Sequence, residues 1–168
     1  MKDRAAEAPF GTLGKLADGR SYVHFERLLP YSVDQVWATL TEQEQLDAWM
    51  PGVRFERRLG GRYEIWFGGD CDGPAHVSGE VVAYEPPHVL QLGTIRWELA
   101  ATDRGCRLIF TDVLVVPEDR TVREIANLVL AGWHHYLDRL DEALAGDPIR
   151  TDAPEPDYRK RDLGLGIA

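Results

Sequence analysis

The chain is poor in the residues that staple or anchor small proteins. Two cysteines in 168 residues exclude a disulfide-rich scaffold and any four-cysteine zinc site. No apolar run approaches the roughly 18 residues of a membrane-spanning helix. Met1-Lys2-Asp3-Arg4 is not followed by an apolar stretch, so no secretory leader is expected and the protein reads as cytoplasmic. Lysine is scarce: Lys2, Lys15 and Lys160 all lie near the ends, which leaves the middle without an amine for Schiff-base chemistry. There is no Gly-x-Ser-x-Gly, phosphate-binding loop, dinucleotide fingerprint or His-Glu-x-x-His. No cofactor and no metal are expected.

Positive charge is short as well. The net charge is −9 and resides in the middle of the chain, because both terminal segments are close to neutral. Such a field repels polyanions, which argues against nucleic acid or an anionic membrane as the main partner. What remains is an ordinary globular composition, 44% hydrophobic and 28% charged. One domain of this length buries roughly 68–70% of its unfolded surface without a staple.

Residues 1–20 have no period and read as a flexible lead-in. Ser21–Leu29 alternates, with Val23, Phe25, Arg27 and Leu29 on one face of a strand. Ser32 with Gln35 forms a capping box that opens a helix carrying Val36, Trp37 and Leu40. Thr41 to Glu44 repeats that logic and starts a second short helix through Leu46 and Trp49, stopped by Pro51-Gly52.

From 53 to 116 the period is two. Turn signals stand at Gly60-Gly61 (a two-residue hairpin), over 68–74, at Pro86-Pro87 and at Asp103-Arg104-Gly105, giving about six strands in a meander. A long helix follows over 119–144. Val122, Ala126, Val129, Trp133, Tyr136, Leu137, Leu140 and Leu144 share one face, whereas Arg123, Glu124, Asn127, His134, Asp138, Asp141 and Glu142 lie opposite. Residues 147–168 hold three prolines and few large apolar groups, so they read as a flexible tail that folding does not need. The expected domain is therefore 21–146. It is α+β: an antiparallel curved sheet of about six or seven strands wrapped around a long C-terminal helix, with two short helices after the first strand.

That order resembles the START-like helix-grip superfamily (SRPBCC), and within it homologues of the activator of the heat-shock-protein-90 ATPase. The residues that carry the resemblance are Arg27-Leu28-Leu29-Pro30 running into Val36-Trp37, Trp49-Met50-Pro51-Gly52, and Gly79-Glu80-Val81-Val82 before Pro86-Pro87. Arg96-Trp97-Glu98-Leu99, Gly105-Cys106-Arg107-Leu108 and Ala131-Gly132-Trp133-His134 complete them. The resemblance implies an apolar cavity between sheet and long helix. It does not imply one activity, since the superfamily spans lipid carriers, cyclases and co-chaperones. Three functions follow: a binding module for a small apolar or amphipathic molecule, a chaperone-partner module, or a cyclase/dehydratase-type enzyme using Arg27 and Asp112.

Several other clusters read more simply. His134 and His135 are expected on a solvated helix face, since adjacent helical residues diverge by about 100° and cannot share an ion. Asp70-Cys71-Asp72-Gly73 begins like a calcium loop, but Pro74, Ala75 and Val81 stand where ligands and glycine are required. Cys106 shares parity with Leu108 and Phe110 and reads as an inert core thiol, and Cys71 as a loop residue. Arg54, Arg57, Arg58 and Arg62 read as a salt-bridged edge hairpin. The cavity lining is expected to comprise Arg27, Trp49, Tyr63, Ile65, Phe110, Asp112, Val129 and Trp133. Arg27 shares its face with apolar residues and must be paired if buried. Asp112 shares a face with Leu108 and Phe110, and Arg27 is its candidate partner.

Overall fold

The computed structural model describes residues 10–67, 76–150, 154 and 156–164. Eight strands form one antiparallel sheet: β1 (Thr12–Lys15), β2 (Ser21–Leu29), β3 (Val53–Phe55), β4 (Arg62–Trp66), β5 (His76–Glu85), β6 (Val89–Leu92), β7 (Ile95–Thr102) and β8 (Gly105–Val113). The spatial order is β1-β2-β8-β7-β6-β5-β4-β3. Two short helices, α1 (Val33–Thr41) and α2 (Gln43–Trp49), follow β2, and the long helix α3 (Val122–Ala145) closes the fold. The helix-grip architecture is as expected, with one strand more, contributed by β1.

Local chemistry explains the helix ends. Ser32 Oγ accepts the Gln35 N–H at 3.2 Å while the Gln35 side chain accepts the Ser32 N–H at 3.1 Å. Thr121 and Glu124 repeat this box at the start of α3, and Gly146 ends that helix at φ 72. The second capping box expected at Thr41 is not made. Thr41 closes α1 instead, donating to the Trp37 carbonyl at 2.8 Å, and Glu42 caps α2 without a side-chain bond. Nor is Gly60-Gly61 a two-residue turn. Phe55 already pairs with Tyr63, so a longer loop joins β3 to β4, braced by the Glu56 carboxylate on the Arg62 N–H at 2.6 Å. In that hairpin Arg54 pairs with Asp47 and Arg58 with Glu56.

Alternate residues of each strand form the inner face. One row runs Val23–Asp112–Ile95–Leu92–Val81, the next Phe25–Phe110–Trp97–Leu90, and the third Arg27–Leu108–Leu99. Against it α3 buries Ala126, Leu130, Trp133, His134, Leu137 and Leu140. Cys106 is buried, as its parity required; Cys71 and the 70–73 motif lie outside the described residues.

Three expectations need correction here. The lead-in is not wholly loose, since residues 12–15 pair with β2. The tail is not wholly loose either: Tyr158 and Leu163 are buried, and the Leu163 carbonyl accepts the Leu13 N–H at 2.8 Å. His134 is buried rather than solvated, because the returning tail covers a flank of α3 that a lone sheet would leave open. With the helix covered on two sides, Leu130 is buried and Val129 only half-buried.

Candidate functional site

Two charged side chains stand on the inner sheet face, and the fold treats them differently. Arg27, 4% exposed, points from β2 toward the C-terminal half of α3. Its Nη1 donates to Asp138 Oδ1 at 3.1 Å and to Asp141 Oδ2 at 2.9 Å. Arg27 Nε and Nη2 are buried with no acceptor among the described residues. Asp138 Oδ2 in turn lies 3.6 Å from His134 Nε2, an ion-pair distance if the ring is protonated and too long for a hydrogen bond.

The other side of that histidine is tied to the tail. His134 Nδ1 is 2.7 Å from the Tyr158 hydroxyl, which accepts the Gly11 N–H at 2.8 Å. With one lone pair so used, the phenolic proton is assigned to Nδ1, so the neutral ring carries its own proton on Nε2. Burial pushes the His134 pKa down; Asp138 opposes this, and Arg27, Arg161 and His135 add to it. Burial likewise pushes Tyr158 up to about 12. Arg123 Nη2 grips the tail by donating to the Arg161 carbonyl at 2.6 Å, and Arg161 lies over the Phe10 ring. This assembly is closed, with Tyr158 only 1% exposed.

Asp112 is the contrasting case. Register places it between Val23 and Ile95, facing inward at the end of β8. Oδ1 accepts from Thr94 Oγ1 at 2.8 Å and Oδ2 from Trp133 Nε1 at 3.0 Å. Both donors are neutral, and among the described residues no arginine, lysine or histidine pairs with this carboxylate. Burial therefore pushes its pKa up, opposed by the bonds from Thr94 and Trp133. Tyr63 is near enough that the Asp112 charge, after burial, helps raise the phenol's pKa. Two glycines make room for that ring: a Cβ on Gly93 would collide with the Tyr63 hydroxyl, and one on Gly79 would lie 3.0 Å from its edge.

Aromatic rings gather around the Trp133 indole. Its centroid lies 4.5 Å from Phe110, 5.8 Å from Trp97, 5.8 Å from Tyr136 and 6.0 Å from Phe67. Trp97 Nε1 is buried with no acceptor among the described residues. The site is thus an aromatic cluster edged by one carboxylate, one hydroxyl and one phenol. Phe110, Trp97, Trp133 and Tyr63 are buried, whereas Phe67, Tyr136 and Asp112 are half-buried and form its open edge. Among the described residues, no three His, Cys, Asp or Glu side chains gather to hold a metal ion.

Of the residues expected to line a cavity, Tyr63, Asp112, Phe110 and Trp133 come together through these contacts, and Ile65 is buried on the same strand as Tyr63. Trp49 is fully buried, but its Nε1 donates to the Thr39 carbonyl at 2.9 Å, so it welds α2 to α1. Val129 is half-buried on α3. Arg27 is buried and paired as expected, though with the helix aspartates rather than with Asp112. Thr94, Trp97 and Phe67 were missed. Only the Gly93-Thr94 turn carried a signal for the first, and the other two read as ordinary strand aromatics. Hollows of about 520, 510 and 290 Å³ lie by the tail and outer α3, at the Leu28–Pro30 corner, and along the β3–β4 edge, where Tyr63 borders the last.

Comparison with known proteins adds the following. The family described as "Activator of Hsp90 ATPase homolog 1-like protein" matches residues 30–145. Among solved structures, the conserved protein of unknown function EF2215 from Enterococcus faecalis is 23% identical with a TM-score of 0.61, covering 91% of this chain and 83% of its own. CalU16 from Micromonospora echinospora is 20% identical with a TM-score of 0.62, covering 93% and 82%. DynU16, from the dynemicin biosynthetic locus, is 25% identical with a TM-score of 0.62, covering 78% of this chain and 50% of its own. No curated protein matches. The family match begins after β2 and ends with α3, so Arg27, Gly11 and Tyr158 lie outside it.

Proposed function

Because the chain belongs to the family of activator of Hsp90 ATPase homolog 1-like proteins, we propose that it binds a small amphipathic molecule between the sheet and α3. The apolar body rests against Trp133, Phe110 and Tyr63, and the polar head meets Asp112. One observation carries this reading: a half-buried carboxylate at the end of the apolar inner face, held by two neutral donors and without a basic partner among the described residues. Burying a charge is costly unless it is countered, and the same face shows that this chain counters one when folding alone is at stake, at Arg27. The occurrence of the similar DynU16 in a biosynthetic locus supports a small-molecule role. Neither alternative has an observation of its own: Arg27 is committed to Asp138 and Asp141, and a chaperone partner rests on the family name.

The test is titration of the full chain with the neutral, environment-sensitive dye N-phenyl-1-naphthylamine. Saturable one-to-one enhancement is expected, with tryptophan-to-dye energy transfer and an affinity that both fall in Trp133→Phe. Weak, non-saturating enhancement that Trp133→Phe leaves unchanged contradicts the proposal.

A further inference from the structure

We infer that the molecule held at Asp112 carries a protonated amine on its apolar body. This rests on the binding-site reading above and adds the sign of the ligand's charge. Thr94 Oγ1 and Trp133 Nε1 supply one neutral hydrogen bond to each oxygen, and the phenol of Tyr63 is held protonated by burial and by the charge beside it. Each oxygen retains a free lone pair, and a carboxylate accepts up to about four donors in all. An ammonium supplies three donors and the missing counter-charge at once.

The rings point the same way. An aromatic face attracts cations through its quadrupole, and tryptophan does so best. This cluster already shows the preference, since the Arg139 guanidinium lies 5.8 Å over the Tyr136 ring, whose neighbours are Trp133 and Phe67. The long-range field agrees, because a net charge of −9 draws cations in and repels anions. The chain has no lysine between Lys15 and Lys160, so no ammonium of the core competes for the position. A carboxylate ligand meets repulsion here, and an alcohol leaves the charge uncountered.

The test is calorimetric titration of the full chain with matched probes: octyl, 2-phenylethyl and 2-naphthylethyl bodies, each as amine, alcohol and carboxylate. For the best-binding body the amine is expected to bind at least tenfold more tightly than the alcohol, and the carboxylate weakest. Asp112→Asn erases the amine preference, bringing amine and alcohol affinities within twofold of each other. Thr94→Lys, at an exposed turn, places an ammonium beside the carboxylate and erases it too, which keeps the test decisive should Asp112→Asn fold poorly. Equal affinity for amine and alcohol overturns the ammonium assignment while leaving the pocket reading intact. A preference that survives both variants overturns the role of Asp112. Failure of every probe to bind overturns both readings.

Discussion

Arg27 and Asp112 stand on the same inner face of the same sheet, on neighbouring strands, Arg27 opposite Leu108 and Asp112 opposite Val23. Arg27 is answered by two carboxylates from α3 and sits beside a buried His–Tyr contact supplied by the tail. Asp112 receives only neutral donors. A pairing between them would satisfy both charges and leave an ordinary core. The chain instead neutralises one from within and leaves the other open. Both charges cost desolvation, but only the first is compensated by folding itself. On the proposed reading, that difference separates the Arg27 network, which serves the fold, from the Asp112 cluster, which serves the ligand.

The comparison breaks most easily on the Arg27 side. Asp138→Ala with Asp141→Ala strands a buried guanidinium and is expected to cost about 3–5 kcal/mol. Urea unfolding measures it, and a loss under about 1 kcal/mol would show that water already serves Arg27. Tyr158→Phe leaves His134 Nδ1 and the Gly11 N–H without partners, for about 1–3 kcal/mol. Truncation after Asp147 removes Leu163 and the Arg123 contacts as well and should cost at least as much. An unchanged melting midpoint would restore the dispensable tail that composition suggested.

A pH scan comes next. The folded pKa of His134 is lowered by burial, so the stability it contributes is complete above the ordinary histidine value near 6.5. That contribution declines as pH falls from there through the lowered value. His134→Gln should flatten this slope. Asp112 runs the other way: its folded pKa is raised, so its penalty is absent below the ordinary value near 3.8 and grows as pH rises through the raised one. The smallest effect follows, with Asp112→Asn expected to change neutral-pH stability by under about 1 kcal/mol. A severe loss there would make Asp112 a structural residue after all.

Much of this was legible in the chain. Period two over 53–116 and the capped amphipathic stretch before Gly146 name the helix grip, and strand parity turns Arg27 inward with Val23 and Phe25, and Asp112 inward once the large Leu108 and Phe110 side chains select the inner face. Their partners were not legible. Asp138 and Asp141 read as solvent-facing by helical period, and Tyr158 sits in a proline-bearing segment with no pattern that announces docking. Hydrogen bonds between residues 147 positions apart, such as Gly11 to Tyr158, are set by tertiary closure and leave no local period. The β1 strand escaped for a related reason: four residues, one of them Gly14, are too few for alternation to register.

An Asp112 charge left unanswered in the free protein is what distinguishes a binding site from an ordinary strand-end carboxylate. Carboxyl-carbon NMR titration of Asp112 measures that directly, first alone and then with the tightest-binding amine at saturation. The expected result is a pKa above the ordinary aspartate value in the free chain that falls when the amine is bound. A midpoint at the ordinary value near 3.8, unmoved by the amine, would contradict it.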